Sequence, residues 1–214
     1  MSEQKKGVFL SFEGCDGCGK TTVLKHVAEE LKEKGYDILT TREPGGSRIA
    51  EAIRKIILDK QNTAEDPRTE ALLYAAARAQ HLSEIVLPAL KEGKIVLTDR
   101  YIDSSLAYQG YARGLGIDEV YAINDFAIHG FLPDRTYFLD LSPEEGLARI
   151  KANPNRKVDR LDKERLAFHQ KVYEGYQILL KKYPKRIRVI DARPSADQVE
   201  KAVLDDLLSF LSAQ

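Results

Sequence analysis

Cysteine is scarce in this sequence: 214 residues contain only two, Cys15 and Cys18. Such a chain has no disulfide framework to staple it for secretion, so a reducing cytoplasm is the expected compartment. Long apolar runs are missing too. None approaches ~18 residues, and residues 1–6 are short and polar with no apolar stretch behind them, so neither a membrane span nor a signal peptide is expected. An excess of one charge sign is also absent. Lys plus Arg and Asp plus Glu number 33 each, which removes any global argument for nucleic acid or an anionic membrane as a partner. What remains, 43% hydrophobic and 31% charged residues, is an ordinary globular composition with enough apolar side chains for a sizeable core.

No internal repeat or linker divides the chain, so residues 1–214 are expected to form a single domain. Strand-like and helix-like stretches alternate. Residues 8–12 (Val-Phe-Leu-Ser-Phe), 36–41, 94–98, 134–141 and 186–191 read as strands. Residues 20–34, 49–58, 67–91, 101–111, 118–129, 161–182 and 196–211 read as helices. Ser142-Pro143-Glu144-Glu145 opens a further helix, with Ser142 as cap, Pro143 at the first helical position and Glu145 closing a capping box. The polar stretch 153–159, broken by Pro154, reads as a loop. Alternation of this kind predicts an α/β fold in three layers, a five-stranded parallel sheet flanked by helices.

After the first strand comes Gly14-Cys15-Asp16-Gly17-Cys18-Gly19-Lys20-Thr21-Thr22. The spacing G-x-x-x-x-G-K-T between a strand and a helix is that of a P-loop. Glycines let backbone N–H groups turn toward phosphate oxygens, and the helix N-terminus adds its dipole. Lys20 reaches the β and γ phosphates and Thr21 can ligate Mg²⁺. The C-x-x-C inside the loop has three readings. Zinc would need about four ligands, and no other Cys or His pair is suitably spaced. A thiol–disulfide switch of the cradle is a second reading. Small filler side chains are the third.

The apolar run 95–98 ends in Asp99, as expected of the carboxylate that helps hold Mg²⁺ at a strand end. Arg100 follows, where many ATP-driven motors place a Glu to activate water, and no N-K-x-D guanine-reading motif occurs. Both observations favour phosphoryl transfer to a small anionic acceptor over hydrolytic switching. Arg149, Lys151, Arg156, Lys157 and Arg160 gather around the 153–159 loop. Interleaved Asp159, Asp162 and Glu164 would fit a plain solvated face. Beside a cradle with no basic residue between Gly14 and Gly19, a short lid at about 149–160 that donates arginines is the expectation. Tyr74 and Arg78 share a helix face, four residues apart. Tyr101, Ser104, Ser105 and Tyr108 share another. Aromatic, guanidinium and hydroxyl groups together suit a nucleobase pocket.

Five segments resemble the bacterial thymidylate kinase family, across almost the whole chain: F-E-G-x-D-G-x-G-K-T-T at 12–22, T-R-E-P-G-G at 41–46, D-R-Y-x-x-S-S-x-A-Y-Q-G at 99–110, D-R-L at 159–161 and F-H-x-x-V-x-x-G-Y at 168–176. The resemblance implies a P-loop nucleoside monophosphate kinase that phosphorylates dTMP with Mg-ATP, a homodimer in the cytoplasm. It implies that Tyr74 stacks on thymine, where the family usually has Phe, and that Arg78 reads the thymine O4 edge. Ser104, Ser105 and Gln109 fall in the base-contacting stretch, and Tyr108 crowds a ribose 2′-hydroxyl. Glu43 and Pro44 lie in the second segment, beside the acceptor. Arg54 and Arg100 hold the acceptor phosphate, and Asp16 sits near the sugar and the metal network. Gly17 stands where some members carry a basic residue. This places the chain with the subgroup whose lid provides arginines, here Arg149, Arg160 and, less well matched, Arg156. Kinases for dUMP or a purine monophosphate, a silent nucleotide-binding adaptor and a nucleic-acid remodelling ATPase are the alternatives. Intact Lys20, Thr21, Asp99 and Arg100 weigh against the adaptor.

Overall fold

The computed structural model describes residues 7–152, 160–161 and 164–213. Five parallel strands lie in the order β2-β3-β1-β4-β5: β1 Val8–Glu13, β2 Ile38–Arg42, β3 Ile95–Asp99, β4 Arg135–Asp140 and β5 Ile187–Asp191. All six residues of β1 are buried, as a central parallel strand requires. Their alternation feeds two cores. Leu10 and Phe12 pack with α1 (Lys20–Glu33) and α9 (Ala196–Ser212) on one face. Phe9 packs on the other face with Val96 and Phe138, against α3 (Pro67–His81), α6 (Ile117–Ile128) and α8 (Leu166–Lys182). By the same period of two, Glu13 falls on the Phe9 face.

Register positions the site. Phe12 and Arg42 both pair with Asp99. The cradle after β1, the 42–46 loop after β2 and the Asp99-Arg100 turn after β3 therefore leave one edge of the sheet. In open parallel sheets, ligands bind in the crevice outside these carboxyl ends.

Three helix readings need correction. The expected helix 67–91 is continuous but contains a π segment, Leu82–Val86, between α3 and α4 (Leu87–Lys91). Pro88 explains it: proline has no N–H and crowds the carbonyl four residues back, and the wider turn relieves both. The expected helix 101–111 is a short α5, Ile102–Ser105, followed by a π segment, Leu106–Ala112. Its Gly110 lies against Ile117, where an added Cβ would meet the Ile117 Cα at 3.1 Å. Helix α8 begins at Leu166, not at 161. The 142–145 start holds in half: the Glu145 amide donates to Ser142 Oγ, which itself donates to the Glu145 carboxylate. It opens α7, Pro143–Lys151, and α2 spans Arg48–Leu58.

Candidate active site

The cradle starts α1 without a side-chain cap. Gly19 sits at the cap position with φ 97°, a left-handed conformation that glycine adopts without a Cβ penalty. Lys20 Nζ is drawn into the loop, donating to the Gly14 and Cys15 carbonyls at 3.0 Å each and leaning on Cys18 Sγ at 3.7 Å. Those carbonyls are the acceptors a phosphate oxygen would replace. Gly17 has φ +82°, and a Cβ there would meet the Gly146 carbonyl oxygen at 2.1 Å. The loop and α7 thus approach backbone to backbone, which leaves no room for a basic side chain at this position.

Cys15 and Cys18 are free and buried, and they pack into different cores, Cys15 on the α8 side and Cys18 on the α1 side. Burial, with the charges of Cys18 and Asp16, pushes the Cys15 thiol up to about 12. Thiolate is the reactive form. The filler reading is therefore the one the geometry favours.

Thr21 Oγ1 donates to Asp99 Oδ2 at 2.5 Å on the cleft wall. Among the described residues no group of three or more His, Cys, Asp or Glu side chains could hold a metal. A hydroxyl beside one carboxylate fits Mg²⁺ of the kind that takes its other ligands from phosphates and water.

Arg100 has φ 72°, a conformation costing a non-glycine residue roughly 1–2 kcal/mol. It aims the guanidinium back across the cradle. Nη1 donates to Gly14 O at 3.2 Å, Ser104 Oγ at 3.0 Å and the Tyr176 hydroxyl at 3.3 Å. Nη2 donates to Asp16 Oδ1 at 2.5 Å and the Tyr108 hydroxyl at 3.2 Å. Tyr108 in turn donates to Asp16 Oδ2 at 2.8 Å. Burial opposes the charge of Asp16, but Arg100, Lys20 and the Tyr108 hydroxyl outweigh it and hold the carboxyl well below its usual range. Asp16 is thus an anion throughout the working pH range.

One cleft of about 970 Å³ joins this cradle to the acceptor residues. Lys20, Thr21, Thr22, Asp99 and Arg100 line it together with Glu43, Pro44, Arg54, Tyr74, Ser104, Tyr108 and Gln109, and Arg149 lies on its wall, whereas Arg78, Ser105 and Arg160 stand behind the lining. Arg54 Nη1 donates to the Pro44 carbonyl at 2.7 Å, and the Glu43–Pro44 peptide is cis.

Three expected site residues sit differently from the simplest picture. Arg78 is a buried hub. Nε donates to Glu43 at 2.7 Å, Nη1 to Ser105 Oγ at 3.0 Å and to Asn124, and Nη2 to the Tyr101 carbonyl at 3.0 Å. Of its five N–H groups these commit four. Ser105 accordingly serves Arg78. Arg160 is seated on two buried carboxylates, Glu65 Oε2 at 2.5 Å and Glu70 Oε2 at 2.6 Å, and donates to the Ile57 carbonyl at 2.9 Å. Burial lifts the Glu65 carboxyl above its ordinary value against the pull of Arg160. Glu70 also accepts from Gln109 at 2.8 Å, so Arg160 is tied to the acceptor end of the cleft. Arg156 and most of the expected lid lie outside the described residues.

Glu13, Asn124 and Tyr176 carry more of the site than sequence patterns assign them. Glu13 and Tyr176 stand inside two of the family-like segments without an evident task. Asn124 has no sequence signal, because its partner Arg78 is 46 residues away. Burial and the charge of Asp103 push the Glu13 carboxyl up to about 7, against Arg100 and the hydrogen bonds from Ser104 and the Tyr101 amide.

Comparison with known proteins agrees with this geometry. Residues 12–203 match the family described as Thymidylate kinase. The chain is 55% identical over 206 residues to the thymidylate kinase of Oceanobacillus iheyensis, covering 96% of this chain and 92% of that one. It is 58% identical over 198 residues to that of Clostridium novyi, covering 92% and 97%. The crystal structure of thymidylate kinase from Ehrlichia chaffeensis superposes with a TM-score of 0.77 at 31% identity, over 94% of this chain and 98% of that one.

Proposed function

The chain belongs to the thymidylate kinase family and phosphorylates dTMP to dTDP with ATP, toward dTTP; we propose how its own residues do so. The observation that carries the reading is the cleft lined by Lys20 and Arg100 together with Tyr74 and Gln109. Backbone N–H groups of the cradle and Lys20 hold the donor phosphates. Thr21 and Asp99 would hold Mg²⁺, which would supply charge to neutralise the phosphates. Arg100 and Arg54 hold the acceptor phosphate, and Asp16 fixes the Arg100 fork. Arg149, whose Nη2 donates to the Ala192 carbonyl at 3.0 Å, adds positive charge on the cleft wall for the transferred group. Tyr74 offers a ring to the base, and Arg78, buried behind the lining, positions Glu43 and Ser105 and reaches the base edge only if the pocket opens on binding. No side chain needs to act as a strong base, because the attacking phosphate oxygen is already anionic.

Acceptor-dependent ADP release tests this. The thymine methyl is worth ~0.8 kcal/mol of burial, about fourfold in kcat/KM. Turnover is therefore expected to be best with dTMP, several-fold weaker with dUMP and negligible with dGMP or dAMP. Preference for a purine monophosphate would show the acceptor end to be wrongly assigned.

We also propose a homodimer in the cytoplasm. Among the described residues no helix is long and apolar enough to cross a membrane. Ile49 and Ile56 on α2, Leu72 on α3 and Phe126 on α6 expose apolar side chains, Phe126 at 82%. Helix α3 packs against both α2 and α6, so these side chains belong to one neighbourhood that a second copy would cover. Light scattering is expected to give twice the 24.1 kDa chain mass, and Phe126→Glu to shift it toward one. A monomeric parent would sink the proposal.

A further inference from the structure

Glu13 closes β1 with a fully buried side chain. Its two oxygens take four hydrogen bonds. Oε1 accepts from the Tyr101 amide at 2.8 Å and the Ser104 amide at 3.3 Å. Oε2 accepts from Ser104 Oγ at 2.6 Å and the Tyr176 hydroxyl at 2.8 Å. Every partner is a donor, and two of them, Ser104 Oγ and the Tyr176 hydroxyl, are also the groups that accept from Arg100 Nη1. Asp103, whose charge opposes that of Glu13, is held by two bonds from Arg186 at 2.7 Å each. Glu13 is thus bound to the turn carrying Arg100 by the backbone on one oxygen and by hydroxyl relays on the other. Burial without a direct cation makes the charged form costly, and the four donors hold it in that form above about pH 7, so its place here asks for a reason beyond packing.

We propose that Glu13 is a positioning residue for the acceptor phosphate: it braces the left-handed Arg100 turn and orients Ser104 and Tyr176 so that their lone pairs face the Arg100 guanidinium. The inference rests on Arg100 holding the dTMP phosphate. A glutamine at position 13 keeps one acceptor oxygen for the two amides. It turns an NH₂ donor onto the two hydroxyls, which lose the acceptor that fixed their O–H groups, so their lone pairs are no longer held toward Arg100. Phe at position 176 removes one of the two relays and little else.

The test is steady-state kinetics of the full-length enzyme with each substrate varied separately, alongside thermal unfolding. Glu13→Gln is expected to raise KM for dTMP by roughly tenfold or more, the worth of a bond to a charged group. KM for ATP should stay close to the parent value. Tyr176→Phe is expected to move KM for dTMP in the same direction by less. The double variant should be no worse than Glu13→Gln alone, because both act through one relay. Arg100→Lys is the reference. Equal loss toward both substrates in Glu13→Gln would mark a merely structural residue and overturn the proposal. So would an unchanged KM for dTMP while Arg100→Lys is impaired. If Arg100→Lys also left dTMP untouched, the phosphate role of Arg100 would fail and the brace with it. A Glu13→Gln protein that does not fold leaves Tyr176→Phe to decide, and an unchanged KM for dTMP there overturns the proposal.

Discussion

Lys20→Ala lowers kcat by about 10²–10³-fold, the loss expected when one preorganised donor to developing phosphoryl charge is removed. The side chain is buried in the cradle, and among the described residues its ammonium bonds to loop carbonyls and one sulfur. Each is replaceable by a phosphate oxygen that carries more negative charge, so the bond strengthens as the γ-phosphoryl group departs. Backbone N–H groups of the loop remain in the variant and continue to bind ATP. The loss therefore falls mainly on kcat, with a smaller change in KM for ATP and little in KM for dTMP. Steady-state kinetics separates these terms. A defect confined to KM for ATP would mean that Lys20 binds ground state and transition state equally.

Arg78→Met destabilises the fold by roughly 3–5 kcal/mol, the usual consequence of leaving one partner of a buried ion pair behind. Arg78 and Glu43 are each 2% exposed and 2.7 Å apart. Methionine fills much of the volume but answers none of the acceptors on Glu43, Ser105, Asn124 and Tyr101. His81 Nδ1 stays 2.9 Å from the other Glu43 oxygen in the variant and does not replace the guanidinium. Denaturant unfolding measures the difference. A change below about 1 kcal/mol, far short of what breaking a buried pair costs, would show that the hub is replaceable and that Arg78 serves the base alone.

The parts of this site that sequence makes legible are those built from neighbours in the chain. Strand β1 is mostly apolar and buried throughout, and the cradle needs Gly14, Gly19, Lys20 and Thr21 at fixed offsets. Asp99 ends a run of buried residues. Each signal is local, so pattern suffices. What pattern does not show is set by partners far along the chain. Glu13 meets Tyr176 across 163 positions and Arg160 meets Glu70 across 90. An arginine beside a polar loop looks the same whether it faces phosphate or a buried carboxylate pair. Helix geometry hides similarly. The π segments at Leu82–Val86 and Leu106–Ala112 keep helical periodicity nearly intact, and only Pro88 hints at the first of them. The positive φ of Arg100 has no compositional mark at all, because an arginine takes it only when surrounding bonds impose it.

The most direct test follows the γ-phosphate itself. The enzyme is mixed with Mg²⁺, dTMP and ATP labelled at the γ position, and the products are separated. Label appearing in dTDP one-for-one with ADP, and no ADP formed when dTMP is withheld, is the result expected of a cleft that joins Lys20 to Tyr74. Label appearing as free phosphate at the same rate with or without dTMP would contradict it, and would make the protein an ATP hydrolase.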